Sequence, residues 1–200
     1  VVDQSEARRA TSRFRPTRHL QRHDGWRFRS EIHGRLFCQP KYLGRRSLDY
    51  LWCGIGAFLS INPYFRYLFG PVSISDTYPA AAKDLMVYFY NLYFGCTTNV
   101  AASNQPYQYQ QPDLDSLKAT FCGNNYKEDF VQLKHLLANM GVSVPTLYKQ
   151  YSELCEPGGV QFLAFGTDPE FNDCLDGLVL VDITKFTEKK RLRYLIEPAE

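Results

Sequence analysis

Two short stretches hold residue types whose spacing could do chemistry. The first, Phe37 to Leu59, reads FCQPKYLGRRSLDYLWCGIGAFL: an apolar run, a proline and a glycine flanked by Lys41, Arg45 and Arg46, then an amphipathic pattern. A strand, a basic turn and a helix in that order place N–H groups and positive charge at a helix start, where a phosphate can be held. A solvated basic turn would have the same composition. The second stretch, TDPEFNDCLDG, sets Asp168, Asn172, Asp173 and Asp176 between two β-rich runs. Short acceptors placed this way can hold a cation; they also satisfy the backbone of tight connections, and Asp176-Gly177 is a turn dipeptide.

The elements that must position these residues follow from periodicity. From Glu31, the run IHGRLFC reads as a strand ending at Pro40. Ser47 can cap a helix with Leu48, Leu51, Trp52, Ile55 and Leu59 on one face, closed by Asn62-Pro63. RYLFGPVSIS reads as a second strand, broken at Gly70-Pro71. A helix between Tyr78 and Phe94, with Pro79 at its first position, turns Ala82, Leu85, Met86, Phe89 and Tyr93 inward. Strand, helix, strand, helix predicts a parallel pair with a crossover and hence an α/β core. Residues 96 to 113, rich in Gln, Asn, Pro and Tyr, read as a loop. Helices over Leu114 to Thr120 and Lys127 to Met140, the second stopped by Gly141, precede a short one from Pro145. VQFLAFGTD and GLVLVDIT then form an antiparallel pair, since their link is too short for a crossover helix. The tail from Lys185 reads as charged.

Composition bounds the function class. Two hundred residues with 44% apolar content fit one domain and can fill one core. Residues 1 to 46 carry a net charge of +8 and the remainder −6. Residues 1 to 30, arginine-rich and without sustained period, read as a basic arm suited to an acidic partner, and residues 31 to 200 as the folded domain. The longest apolar run, around Leu51 to Ile61, is short of the ~20 residues that span a bilayer, and the N-terminus lacks a signal-peptide pattern. A cytoplasmic location is expected. The six cysteines stand singly, and the four histidines, including the i, i+4 pair His19 and His23, lack a third ligand, so neither a disulfide framework nor a metal site is expected. Nucleic-acid binding through residues 8 to 46 would rest on charge with only Trp26 and Phe28 for stacking, and is not expected.

GRLFCQPKY, LDYLWCGIGAFL, RYLFGPVSIS and GGVQFLAFGTDPEFNDCLDGLVLVDI, in that order from about Gly34 to Ile183, together resemble the hemolysin-like, ornithine-lipid type N-acyltransferases, a branch of the GNAT superfamily. The resemblance implies a GNAT-like α/β fold, a mixed sheet flanked by helices, here with its N-terminal elements reduced. It also implies transfer of a long-chain acyl group from acyl carrier protein to the α-amine of an amino acid, typically ornithine, as a step towards a membrane lipid. Some relatives carry a second acyltransferase domain. No permanently bound cofactor is implied; the donor is the carrier's acyl-phosphopantetheine. In coenzyme A-using relatives the turn carries Q/R-x-x-G-x-G/A, but here Leu43, Arg46 and Leu48 replace the basic residue and the two glycines. Lys41, Arg45 and Arg46 can still meet a single phosphate, which favours carrier protein over acyl-CoA.

The same resemblance implies residue roles. Backbone N–H groups near Phe37, Cys38 and Gln39, where two parallel strands splay, would hold the oxyanion. An E-L-x-R type pattern maps its arginine to Arg35, suited to the amino-acid carboxylate or to a surface ion pair. Its glutamate position falls on Ile32; Glu31 stands one residue early, on the opposite strand face unless a bulge intervenes. Asp168, Asp176 and Asn172 would bind the acceptor's α-ammonium or cationic side chain, and Trp52, Phe58, Phe69 and Phe89 would wall the acyl chain or form core. The reduced N-terminus implies exposed sheet edge, with a homodimer or low stability as the outcome. The competing reading is a non-catalytic GNAT-like domain that holds an acidic carrier protein or docks peripherally on an anionic membrane.

Overall fold

The computed structural model describes residues 13–16, 47–98, 100–110 and 114–195. Glu31, Arg35, Phe37, Cys38, Gln39, Lys41, Arg45 and Arg46 lie outside them, as do the expected first strand and its parallel pairing.

Helix α1, Ser47–Ile61, buries Trp52 and Leu59 along the expected face. It carries Asp49 in its first turn, where a carboxylate suits the helix dipole. It ends where Asn62 N–H donates to the Leu59 carbonyl and Asn62 Nδ2 to that of Phe58, just before Pro63. Helix α2, Ala80–Phe94, starts behind Pro79 and packs Ala82, Leu85, Met86, Phe89 and Tyr90 into the main core. Helices α3, Leu114–Thr120, α4, Tyr126–Asn139, and α5, Thr146–Ser152, follow. The Asn125 side chain caps α4 by accepting from Glu128 N–H, and Gly141, at φ 76°, ends it in the left-handed conformation open to glycine.

Strand β1 is Phe14–Pro16, β2 Tyr67–Ile74, β3 Ala101–Ser103, β4 Val160–Asp168 and β5 Cys174–Asp182. β5 is the centre of a three-stranded antiparallel sheet ordered β2-β5-β4, while β1 and β3 pair antiparallel beside it. With the helices, this is the expected α/β arrangement of sheet and flanking helices. Two expectations are corrected, the break in the second strand and the continuous loop over 96 to 113. Gly70-Pro71 does not break the second strand: β2 runs through it, paired with β5 only among the described strands, and a proline is tolerated on such a strand. The loop over 96 to 113 contains β3, and within the presumed arm Phe14–Pro16 pair with it in the folded body. The tail beyond Lys185 forms α6, Glu188–Tyr194, whose Tyr194 is buried against α1 and whose Arg193 forms an ion pair with Asp49 at 2.7 Å.

One irregularity decides which side chains meet. Phe162 pairs with Val179 and Ala164 with Leu178, so Leu163 is an extra residue in β4. It lets Phe162 and Phe165 both enter the main core, with Tyr90 and Tyr148. Leu163 instead joins Phe14 and Leu178 in a small cluster on the other face. Beyond the bulge the alternation is reversed, which turns Gly166 and Asp168 away from the core and onto the face of Asp176.

Candidate functional site

The end of the β4–β5 hairpin gathers polar side chains on both sheet faces. On the face away from the main core, Asp176 lies on the central strand between Ser73 of β2 and Gly166 of β4. Ser73 Oγ donates to Asp176 Oδ1 at 2.5 Å, and the Cys174 thiol donates to the same oxygen at 3.6 Å. Arg13 Nη1 lies 2.7 Å from Asp176 Oδ2 and also forms an ion pair with Asp168 Oδ2. Asp168 Oδ1 accepts from Glu170 N–H. Both carboxylates are buried, with 1% and 2% of their side-chain surface exposed. One guanidinium therefore compensates two charges that could not be left alone in that environment.

The backbone explains how Arg13 arrives there. Its carbonyl accepts from Asn104 N–H at 2.7 Å, beside the β1–β3 pairing. Thr167 N–H donates to the Gln105 carbonyl and Tyr107 N–H to that of Phe165, stitching the following loop to β4. Gly166 permits this close approach, since a Cβ there would overlap Ser103 Oγ.

Asp168, Cys174 and Asp176 place ligand-type atoms within 4.8 Å of one another, a donor set that could hold a metal. The charge the two carboxylates meet in this structure is Arg13. Burial, then the neighbouring Asp176, pushes the Cys174 thiol up to about 12, so it is protonated at neutral pH.

On the opposite sheet face, Thr167 and Leu175 open into a cavity of about 490 Å³ bounded by the first turns of α2 and the loop after β3. Its polar wall includes Asp76, Lys83, Gln110 and Asp173. Lys83 Nζ lies 2.6 Å from Asp76 Oδ1. Asp84, fully buried, accepts from the Tyr107 hydroxyl at 2.7 Å and from Gln110 N–H, which fastens the loop to α2. Burial, reinforced by Asp84, pushes the Tyr107 hydroxyl well above the usual phenol range.

Of the residues proposed from sequence, the fold brings Asp168 and Asp176 together. Asn172 does not join them: it is exposed at the hairpin turn with φ 56°. The four acyl-wall candidates do not converge. Trp52 and Phe89 are in the main core, Phe69 packs on the small cluster of the other face, and Phe58 is exposed. Arg13, Ser73, Lys83 and Asp84 carry no local sequence signal that separates them from other polar residues; their placement depends on long-range pairing.

The likeness to known proteins agrees in kind. Over 171 residues, 81% of its length, the chain is 28% identical to a protein named glycine N(alpha)-acyltransferase from Phocaeicola vulgatus. It is equally 28% identical, over 171 residues, to one of the same name from Bacteroides thetaiotaomicron. The chain spans about half the length of these relatives, 51% and 49% respectively. No family model and no solved structure matches it.

Proposed function

We propose that this chain is the acyltransferase portion of an enzyme that moves a long-chain acyl group from acyl carrier protein to the α-amine of an amino acid. The observation that carries this reading is the 28% identity, across 81% of the chain, to two proteins named for N-acylation of glycine. Amide formation from a thioester needs an uncharged amine, an acceptor for its proton and donors for the oxyanion. Glu31 or a water it orients would take the proton, and N–H groups at Phe37, Cys38 and Gln39 would stabilise the oxyanion. Lys41, Arg45 and Arg46 would meet the phosphate of the carrier's phosphopantetheine, and their charge suits the acidic surface of a carrier protein.

For the acceptor, glycine is preferred to ornithine. A second ammonium on the substrate would need a carboxylate to receive it, and Asp168 and Asp176 are already joined to Arg13. An N-acyl amino acid made this way is amphipathic, which would suit release of the product at the surface of a membrane. Among the described residues no helix is long and apolar enough to cross one. Incubating the chain with long-chain acyl-carrier protein and equal glycine and ornithine, with products read by mass spectrometry, tests the reading. N-acylglycine in excess supports it, N-acylornithine in excess keeps the reaction and reverses the acceptor, and absence of any amide from folded protein overturns it.

A further inference from the structure

We propose that the cavity between the β4–β5 turn, the start of α2 and the loop after β3 is the binding site for the amino-acid acceptor, held as a zwitterion. For the identity of the ligand this rests on the acyl-transfer reading; for the existence of the site it rests on the residues themselves.

The cavity, about 490 Å³, falls within the size range of small-molecule sites, and its wall mixes polar and apolar surface in about equal parts. The charges of both signs on it, Lys83 against Asp76 and Asp173, suit a small charged ligand. Lys83 keeps only 13% of its side chain exposed, so its stem is packed while its ammonium reaches the cavity wall. That ammonium has three donors, and Asp76 Oδ1 accounts for one. The others can receive a carboxylate.

The opposite charge comes from the hairpin turn. Asp173 lines the cavity and forms no ion pair among the described residues. It is held at φ 52°, next to Asn172 at φ 56°. Two successive left-handed residues favour Asn-Gly, because glycine adopts that conformation without steric cost. Asp173 supplies the acceptor for an ammonium and Lys83 the donors for a carboxylate, while Ala80 and Leu175 add apolar surface to the wall.

The test is direct binding of ¹³C-labelled glycine to the chain, followed by NMR line broadening, with acetate and methylamine as single-charge controls. Glycine is expected to bind more tightly than either control. Lys83→Gln and Asp173→Gly are each expected to weaken glycine binding by about tenfold or more. Asp173→Gly keeps the fold, since it places the least strained residue in the turn; a lost signal with an unchanged circular dichroism spectrum is therefore a loss of the ligand contact. The proposal is overturned if glycine binds both variants as it binds the parent chain, or if the folded parent chain binds no glycine. Product formation reports separately on the transfer reaction. N-acylglycine made with an unchanged KM for glycine in both variants discards this cavity and keeps the reaction. Glycine binding that both variants lose, in a chain that makes no amide, keeps the cavity and discards the reaction.

Discussion

Arg13 and Asp176, 163 positions apart, meet at 2.7 Å between Nη1 and Oδ2, and the same nitrogen serves Asp168. This contact ties a segment near the start of the described chain to the centre of the sheet.

Replacing Arg13 with methionine keeps volume and removes the charge. Two buried carboxylates would then lack their counter-charge, and breaking a buried pair from one side costs about 3–5 kcal/mol. Arg13 retains 24% exposure, so the lower end applies. Urea unfolding of the variant should show a midpoint shift of that size; a shift below about 1 kcal/mol would mean that water already compensates Asp168 and Asp176.

Gly56 on α1 and Gly166 on β4 both lie where a Cβ would enter another segment's atoms, the Tyr194 carbonyl and Ser103 Oγ respectively. Alanine at Gly56 gains about 1 kcal/mol of helix propensity, yet overpacking costs typically 1–3 kcal/mol and against a backbone carbonyl should prevail. Gly56→Ala is expected to expose the amides of α6 to faster hydrogen exchange, and Gly166→Ala those of Ser103 to Tyr107. Unchanged protection would show that the neighbouring segments shift without loss of docking.

Trp52 and Phe58 have similar chemistry and different places. Trp52 is 4% exposed beside Tyr151, Phe186 and Tyr194, so Trp52→Ala should cost about 3–5 kcal/mol. Phe58, on the exposed side of α1, stacks only on Phe65 among its described ring contacts. Phe58→Ala should stay within about 1 kcal/mol in the same unfolding experiment.

Asp182 gives an acid-side signature. Burial pushes its carboxyl up, but the Arg66 guanidinium and the Thr184 hydroxyl and N–H together push it further down, to a net value below the ordinary 3.8. A carboxyl depressed in the folded state adds stability above its unfolded pKa, and that contribution disappears as pH falls through the folded value. Asp182→Asn should therefore be less stable than the parent near pH 7, with the difference narrowing below about pH 4. A difference independent of pH would assign the effect to the neutral hydrogen bonds.

The helices were legible because their signals are local. The apolar spacing of α1 and α2, Pro79 before α2 and Gly141 after α4 each act within a few residues. Both long strands of the hairpin were equally plain from their runs of branched and aromatic residues. β3, three residues long in a polar segment, has no such pattern; it exists because Gly166 lets it lie against β4 and because β1 pairs with it. The site was legible by half. Asp168 and Asp176 stand out as acids beside strands, but the extra residue Leu163 decides which face they share, and Arg13 reaches them across most of the chain. Lys83 looks like an ordinary surface charge, and Asp173 like one of several acceptors in the turn, until the fold sets them on one cavity.

Amino-acid-dependent acyl transfer is read most directly from release of the carrier's phosphopantetheine thiol from long-chain acyl-carrier protein in the presence and absence of glycine. Thiol release is expected to require glycine, to saturate with it and to be matched by an equal amount of N-acylglycine. Folded chain that releases no thiol, or releases it at the same rate without any amino acid, would contradict it.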